Sequence, residues 1–380
     1  PRTLAATFAA GQPRPLTWSN RGEAVIYAQP LKQASTSGGT VLVRHDVESD
    51  RVQALAFMEN VVTSVEVLSA GVLVVSTEAT SGGLRERALA LSSWQDGDWL
   101  THGAGLDRQP VYSPDGERVM FTSDRTGNLD IWEISSIDGA LRRLIDHPAD
   151  DWDPAYSPDG RNLIWSSDRG GHFEIWMAEA DGRNPRQVTN DGFDAENPTM
   201  TADGEWIVYN TSNPTQGGVW KIRPNGTDAT HLWAGLTGLP EVSPDGRYVV
   251  FTRQVAQSAA VIRNASVEVI SAVDGKKIPF QIDCKGIAAT GFNVAMGRSR
   301  WMPDGRGIAF VCSDPVAGIF RQDFRPGADT RESRSLLASG DGTNVPESFG
   351  ISWDGTRITV SEVGILRRIE AVSNLPGVTR

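Results

Sequence analysis

Short runs of β-branched and aromatic residues alternate with polar, turn-forming clusters along this chain. In its middle third they do so with a fixed period. Val119–Thr122, Leu163–Ser166 and Ile207–Tyr209 are strand-sized, and each follows an Asp-Gly turn signal. Long apolar segments with helical periodicity are missing, so the pattern predicts an all-β chain. One sentence is stated three times, beginning at Pro110, Pro154 and Pro198. Its turn aspartates, Asp115, Asp159 and Asp203, stand 44 residues apart, and Trp132, Trp176 and Trp220 keep the same step. A repeat that holds register at two landmarks is an architecture.

Within one unit, Pro fixes φ for a turn and Gly accepts the positive φ of a tight hairpin. Asp138-Gly139, Asp181-Gly182 and Asn225-Gly226 signal a second hairpin. Four antiparallel strands in about 44 residues match one blade of a β-propeller. Weaker copies extend the series. Leu16–Gly22 with Ala24–Tyr27, and Thr63–Ser76, read as degenerate blades, while Pro240–Gly246, Met302–Gly305 and Ser352–Gly355 supply later turns. Blade starts fall near 16, 63, 110, 154, 198, 240, 299 and 349. The expectation is therefore one propeller over residues 1–380 with eight blades, or seven if one of the first two is incomplete. Thr3–Phe8 is expected to close it by completing the last blade, which removes an exposed edge. Asp245 and Asp304 lie 59 residues apart, so an extended loop is expected within 254–298, functional or simply tolerated.

The wording Tyr-Ser-Pro-Asp-Gly, followed by Phe121-Thr-Ser-Asp-Arg-Thr-Gly-Asn-Leu-Asp-Ile-Trp132, resembles the WD40-like PD40 repeat of TolB-type propellers over roughly 110–251. Phe320–Gly327 and Glu347–Ser352 are also similar to propellers fused to bacterial serine/threonine kinases. The resemblance implies a bacterial binding module without catalysis: the sensory or interaction domain of a larger signalling protein.

Composition narrows the partners. A formal net charge of −11 argues against nucleic acid, which calls for a basic stripe. No apolar run is long enough to span a membrane. The chain starts at Pro1 without Met, which reads as a processed product or an excised domain. Cys284 and Cys312 are the two cysteines; free buried thiols are the expected state, with a disulfide as the alternative. The compartment stays open, with an extracytoplasmic location ahead of the cytoplasm. A monomeric domain is expected.

In a propeller the first strand of each blade lines the central channel, and the loops leading into those strands rim one mouth. Aligned on the turn aspartates, this rim gathers Asp107 and Gln109, then Asp151, Trp152 and Asp153, then Asp194, Glu196 and Asn197, and later Glu241. Arg14, Arg298 and Arg300 supply the opposite charge. A concave charged mouth is the default ligand site, for a protein, a peptide or a small molecule. Clustered carboxylates could hold calcium, yet no Asp-x-Asp-x-Asp-Gly loop is present, and no cofactor is expected. Asp124 and Asp168 recur once per blade and read as loop braces rather than catalytic acids. The Trp series reads as packing, with Trp152, which breaks the repeat, free to contact a ligand. The five histidines are scattered, and neither His-Glu-x-x-His nor Gly-x-Ser-x-Gly occurs. No catalytic residue is assigned. Two enzyme-linked alternatives stand beside the binding module: a carbohydrate-active lyase or hydrolase with a channel site, and the gating propeller of a peptidase.

Overall fold

The computed structural model describes residues 15–19, 22–30, 40–58, 61–89, 97–102, 105–258, 261–282, 299–312, 318–339, 345–376 and 378. Their regular elements are β-strands, with one 3₁₀ turn at Arg331–Ser333. The strands form seven sheets, six of them four-stranded and one larger. This is the all-β propeller pattern that the turns and periodicity predict.

The chain divides into two compact units, residues 1–81 with 365–380, and residues 82–364. A count of eight blades is not confirmed. The starts near 16 and 63 fall in the first unit. There, strands Leu16–Ser19, Ala24–Pro30, Thr40–Asp46 and Val52–Met58 make an antiparallel sheet. It shares a core of Ile26, Leu42, Val65, Leu73, Val75 and Leu375 with the neighbouring hairpin Val61–Ser69 and Val72–Thr77. These strands alternate and turn like blades, and nothing local to them says which sheet they join.

The other six starts each open one sheet of the second unit. Blades 1 to 5 begin at Asp107–Tyr112, Asp151–Tyr156, Ala195–Met200, Thr237–Val242 and Ser299–Trp301. Each runs in simple antiparallel order to a fourth strand, ending at Leu141–Arg143, Arg186–Gln187, Thr230–Ala234, Lys277–Ile278 and Ser335–Ser339. Blade 6 takes Val345–Ile351 and residues 357–364 from late in the chain, and residues 82–88 and Asp98–Trp99 from before blade 1. Leu89 N donates to Thr356 O at 2.7 Å along this join. The ring is closed by pairing strands from the two ends of the unit, which joins what would otherwise be two open ends. Thr3–Phe8, expected to do this, lies outside the described residues.

Each blade buries its faces against the next. Phe121, Leu163, Trp165, Val249, Phe251 and Phe310 are fully buried in a chain of clusters between sheets. The excess length in 254–298 goes partly into a long hairpin, Tyr248–Ser258 with Val261–Ser271. Residues 283–298 lie outside the described residues. Cys312 is disulfide-bonded, which corrects the expectation of free thiols; Cys284 lies outside the described residues. Spacing along the sequence cannot reveal whether two Cβ atoms come within reach of each other.

Candidate functional site

Residues four places before each turn aspartate point into the channel: Val111, Ala155, Thr199, Glu241, Arg300 and Gly350 border one cavity. Two places earlier, the first strands of blades 1 to 4 break their ladders. At these bulges Gln109, Asp153, Asn197 and Leu239 adopt left-handed φ values of 55°, 53°, 57° and 56°. A bulge re-aims its side chain, and here three of the four reach neighbouring blades.

Gln109 N donates to Ser348 Oγ at 2.8 Å, joining blade 1 to blade 6. Gln109 Oε1 accepts from Thr122 Oγ1 at 2.8 Å and from Asp153 N at 3.1 Å, joining blade 1 to blade 2. Asn197 N donates to Ser166 Oγ at 3.2 Å; with its amide nitrogen turned inward, Asn197 also donates to Asp153 Oδ2 at 2.9 Å. Gln109, Asp153 and Asn197 are all buried, so these bonds replace water that burial removed.

On the other side of the channel, Arg300 of blade 5 is the hub. Its Nη1 donates to Glu241 Oε2 at 2.8 Å, its Nε to Phe349 O at 3.0 Å and its Nη2 to Pro110 O at 3.3 Å. One side chain thus touches blades 4, 6 and 1. Glu241 Oε1 also accepts from Trp301 N at 2.9 Å. The sequence alignment places Glu241 and Arg300 at the rim; the structure sets them inside the channel, because the strand register turns that position inward.

The rim itself divides into occupied and open positions. Asp107 and Asp151 are fully buried and held by Arg125 and Arg169 of the same blade, at 2.7 and 2.9 Å. Each guanidinium lies over aromatic rings, Arg125 5.0 Å from Trp132 and Arg169 4.5 Å from Trp176. The repeated Trp therefore clamps the repeated Arg. Ser123 and Ser167 accept from the same arginines. Asp124 Oδ1 accepts from Leu106 N at 2.8 Å and Asp168 Oδ1 from Asp150 N at 2.9 Å. The Ser-Asp-Arg motif is a brace for the loop leading into the first strand, and Asp107 and Asp151 belong to it rather than to a ligand.

The Asp153 and Asp194 carboxylates lie within electrostatic reach of Glu196, where blades 2 and 3 adjoin. Glu196 is partly exposed and makes no hydrogen bond among the described residues. Burial, and the nearby carboxylates of Asp153 and Asp194, raise its pKa to about 8. In blade 2, Trp152 lies 5.3 Å from Phe173, ring to ring, and its buried indole N–H has no partner among the described residues. Arg14 and Arg298 lie outside the described residues. Among the described residues, no group of three His, Cys, Asp or Glu side chains is placed to hold a metal ion. Among the described residues, no helix is long and apolar enough to cross a membrane.

Sequence alignment missed the opposite mouth. The cavity there, about 190 Å³, is walled by Met200, Val242, Ile351 and Trp353 and edged by Pro158, Pro244 and Pro303 of the turns. The turn motif announces these residues without showing that six copies enclose a space.

Residues 97–279 match the family model of the PD40 TolB β-propeller domain. An uncharacterized protein of Agrobacterium fabrum is 42% identical over 53 residues, 14% of this chain and 18% of that protein, so the match spans less than a fifth of its relative. The crystal structure of TolB from Acinetobacter baumannii is similar over 91% of this chain and 82% of its own, with 14% identity and a TM-score of 0.51. A putative TolB from Agrobacterium tumefaciens aligns over 86% of this chain and 98% of its own, at 17% identity and a TM-score of 0.47. The likeness to the Acinetobacter structure shows fold alone. Together with the family match, it makes this chain similar to the TolB-type β-propeller proteins, with the family's signature in residues 97–279.

Proposed function

We propose that the propeller is a non-catalytic protein-binding module that receives a cationic side chain of its partner at the Trp152, Asp153, Asp194 and Glu196 recess. The observation that carries this reading is Glu196: a partly exposed carboxyl that feels two others, Asp153 and Asp194, and makes no hydrogen bond of its own among the described residues. A lysine or arginine entering there relieves the carboxylate repulsion and meets the Trp152 face. The TolB-type family match over 97–279 supports a binding role. The disulfide at Cys312 supports an oxidising, extracytoplasmic compartment. In a larger bacterial signalling protein, such a site would serve as the input.

The test is calorimetric titration of the full chain with short N-acetylated peptides carrying one lysine, one arginine, or norleucine in their place. The cationic peptides should bind and the norleucine peptide should not, and Glu196→Gln with Trp152→Ala should abolish binding while the far-UV spectrum stays unchanged. Equal binding of the norleucine peptide, or full binding by the double variant, sinks the reading.

A further inference from the structure

We propose that the opposite mouth of the channel is a second binding site, which takes a carboxylate carried on a short apolar chain. This site is independent of the acidic recess.

The cavity presents an apolar sleeve with hydrogen-bond donors at its inner end. Val111, Ala155, Met200, Val242, Ile351 and Trp353 form the sleeve. At the inner end lies Thr199, whose Oγ1 is buried without a hydrogen-bond partner in a residue only 8% exposed. A buried hydroxyl left unpaired has lost its water without a replacement, and a ligand acceptor supplies one. Arg300 stands at the same level. A guanidinium has five N–H donors, and the contacts to Phe349, Glu241 and Pro110 engage three of them. Two N–H groups are left for a ligand.

The head group follows from the charges. Glu241 is already satisfied by Arg300 and by Trp301 N, so it does not call for a cation, and an ammonium would meet the Arg300 guanidinium. A carboxylate offers lone pairs to Thr199 and Arg300 together, as charge-assisted bonds. The turn aspartates at this mouth do not border the cavity. Asp159 and Asp245 are tied into their own turns by Ser157 and Ser243 Oγ at 2.6 Å and by backbone N–H groups.

Size completes the description. Pockets for drug-sized ligands run to roughly 300–1,000 Å³, so about 190 Å³ suits a short chain or one terminal residue. A free aliphatic acid and the C-terminal residue of a peptide share this chemistry.

The full chain is titrated with hexanoate, hexanamide, N-acetyl-Ala-Leu and its C-terminal amide. At least one acid should bind, about tenfold or more tighter than its amide. Binding confined to hexanoate identifies a free acid as the ligand, and binding confined to the dipeptide identifies a chain terminus. Thr199→Val should weaken the acid about tenfold, and Ala202→Trp, which fills the mouth, should abolish binding. Glu196→Gln, at the other mouth, should leave it unchanged. Near-UV circular dichroism confirms that each variant keeps its packing. The proposal is overturned if neither acid binds, if amides bind as well as acids, or if folded Thr199→Val and Ala202→Trp bind like the parent.

Discussion

Tyr112 joins three segments that lie far apart in sequence, and its removal tests how the propeller ring is closed. Its hydroxyl donates to Glu86 Oε1 at 2.6 Å and accepts from Thr359 Oγ1 at 2.6 Å. Glu86 comes from the strand before blade 1 and Thr359 from late in the chain, so this hydroxyl pins both halves of blade 6. Burial and the Glu86 carboxylate push the Tyr112 pKa far above its ordinary value, so the hydroxyl keeps its proton. Tyr156 holds the equivalent place in blade 2 and donates once, to Glu133 Oε2 at 2.5 Å. Losing a bond to a charged group costs about 1.5–3 kcal/mol and losing a neutral one about 0.5–1.5 kcal/mol. Tyr112→Phe should therefore cost about 2–4.5 kcal/mol and Tyr156→Phe about 1.5–3 kcal/mol. Urea unfolding, followed by tryptophan fluorescence, reads both variants against the parent under identical conditions. A Tyr112→Phe cost below about 0.5 kcal/mol, the scatter of ordinary surface changes, would refute the assignment of this hydroxyl to the seam. So would a cost smaller than that of Tyr156→Phe.

Three more outcomes follow from the same geometry. Glu196 has a raised folded pKa of about 8, so between its unfolded value and pH 8 the folded chain holds a proton that the unfolded chain has lost. Stability falls with rising pH in that window, and Glu196→Gln should stabilise the fold more at pH 8 than at pH 5, as read by thermal melts. Gly182 (φ 85°) would place a Cβ 2.1 Å from Leu144 O, whereas Gly139 (φ 71°) meets nothing within 4 Å. Gly182→Ala should therefore cost about 1–3 kcal/mol more than Gly139→Ala in urea unfolding. Removing one partner of the buried Asp107–Arg125 pair, as in Arg125→Met, should cost about 3–5 kcal/mol. Asp107→Asn on that background should recover part of the loss, and a fully additive double-mutant cycle would count against the pair.

The acidic recess was half legible in the sequence. Alignment on the turn aspartates brings Trp152, Asp153, Asp194 and Glu196 to one mouth, and in the structure the Asp153 and Asp194 carboxylates act on Glu196. It also puts Asp107 and Asp151 in the same set, and these are consumed by Arg125 and Arg169. The signal was available, since Asp107 with Arg125 and Asp151 with Arg169 recur at the same spacing of 18 residues. A pair that repeats in two blades argues for a brace, as the recurrence of Asp124 and Asp168 already did. Glu241 and Arg300 stand 59 residues apart, and nothing local predicts their meeting.

The sequence by itself determined the blade. Turn residues, two-residue alternation and Asp-Gly hairpins are local rules, acting over a few residues, and they place every strand of blades 1 to 3 in its register. Only the tertiary structure decided the rest. The weak repeats near 16 and 63 obey the same local rules as the clear blades, and nothing in those rules says which strands share a compact unit. Blade 6 is assembled from residues 82–88 and Asp98–Trp99 with residues 345–351 and 357–364, a choice made by the pairing of distant edges. Gly182 illustrates the difference in physical terms. Its sequence neighbours call for a positive φ, and any reading of the turn finds that. The Leu144 carbonyl that also excludes a side chain comes from another blade, and such contacts exist only once the sheets are stacked.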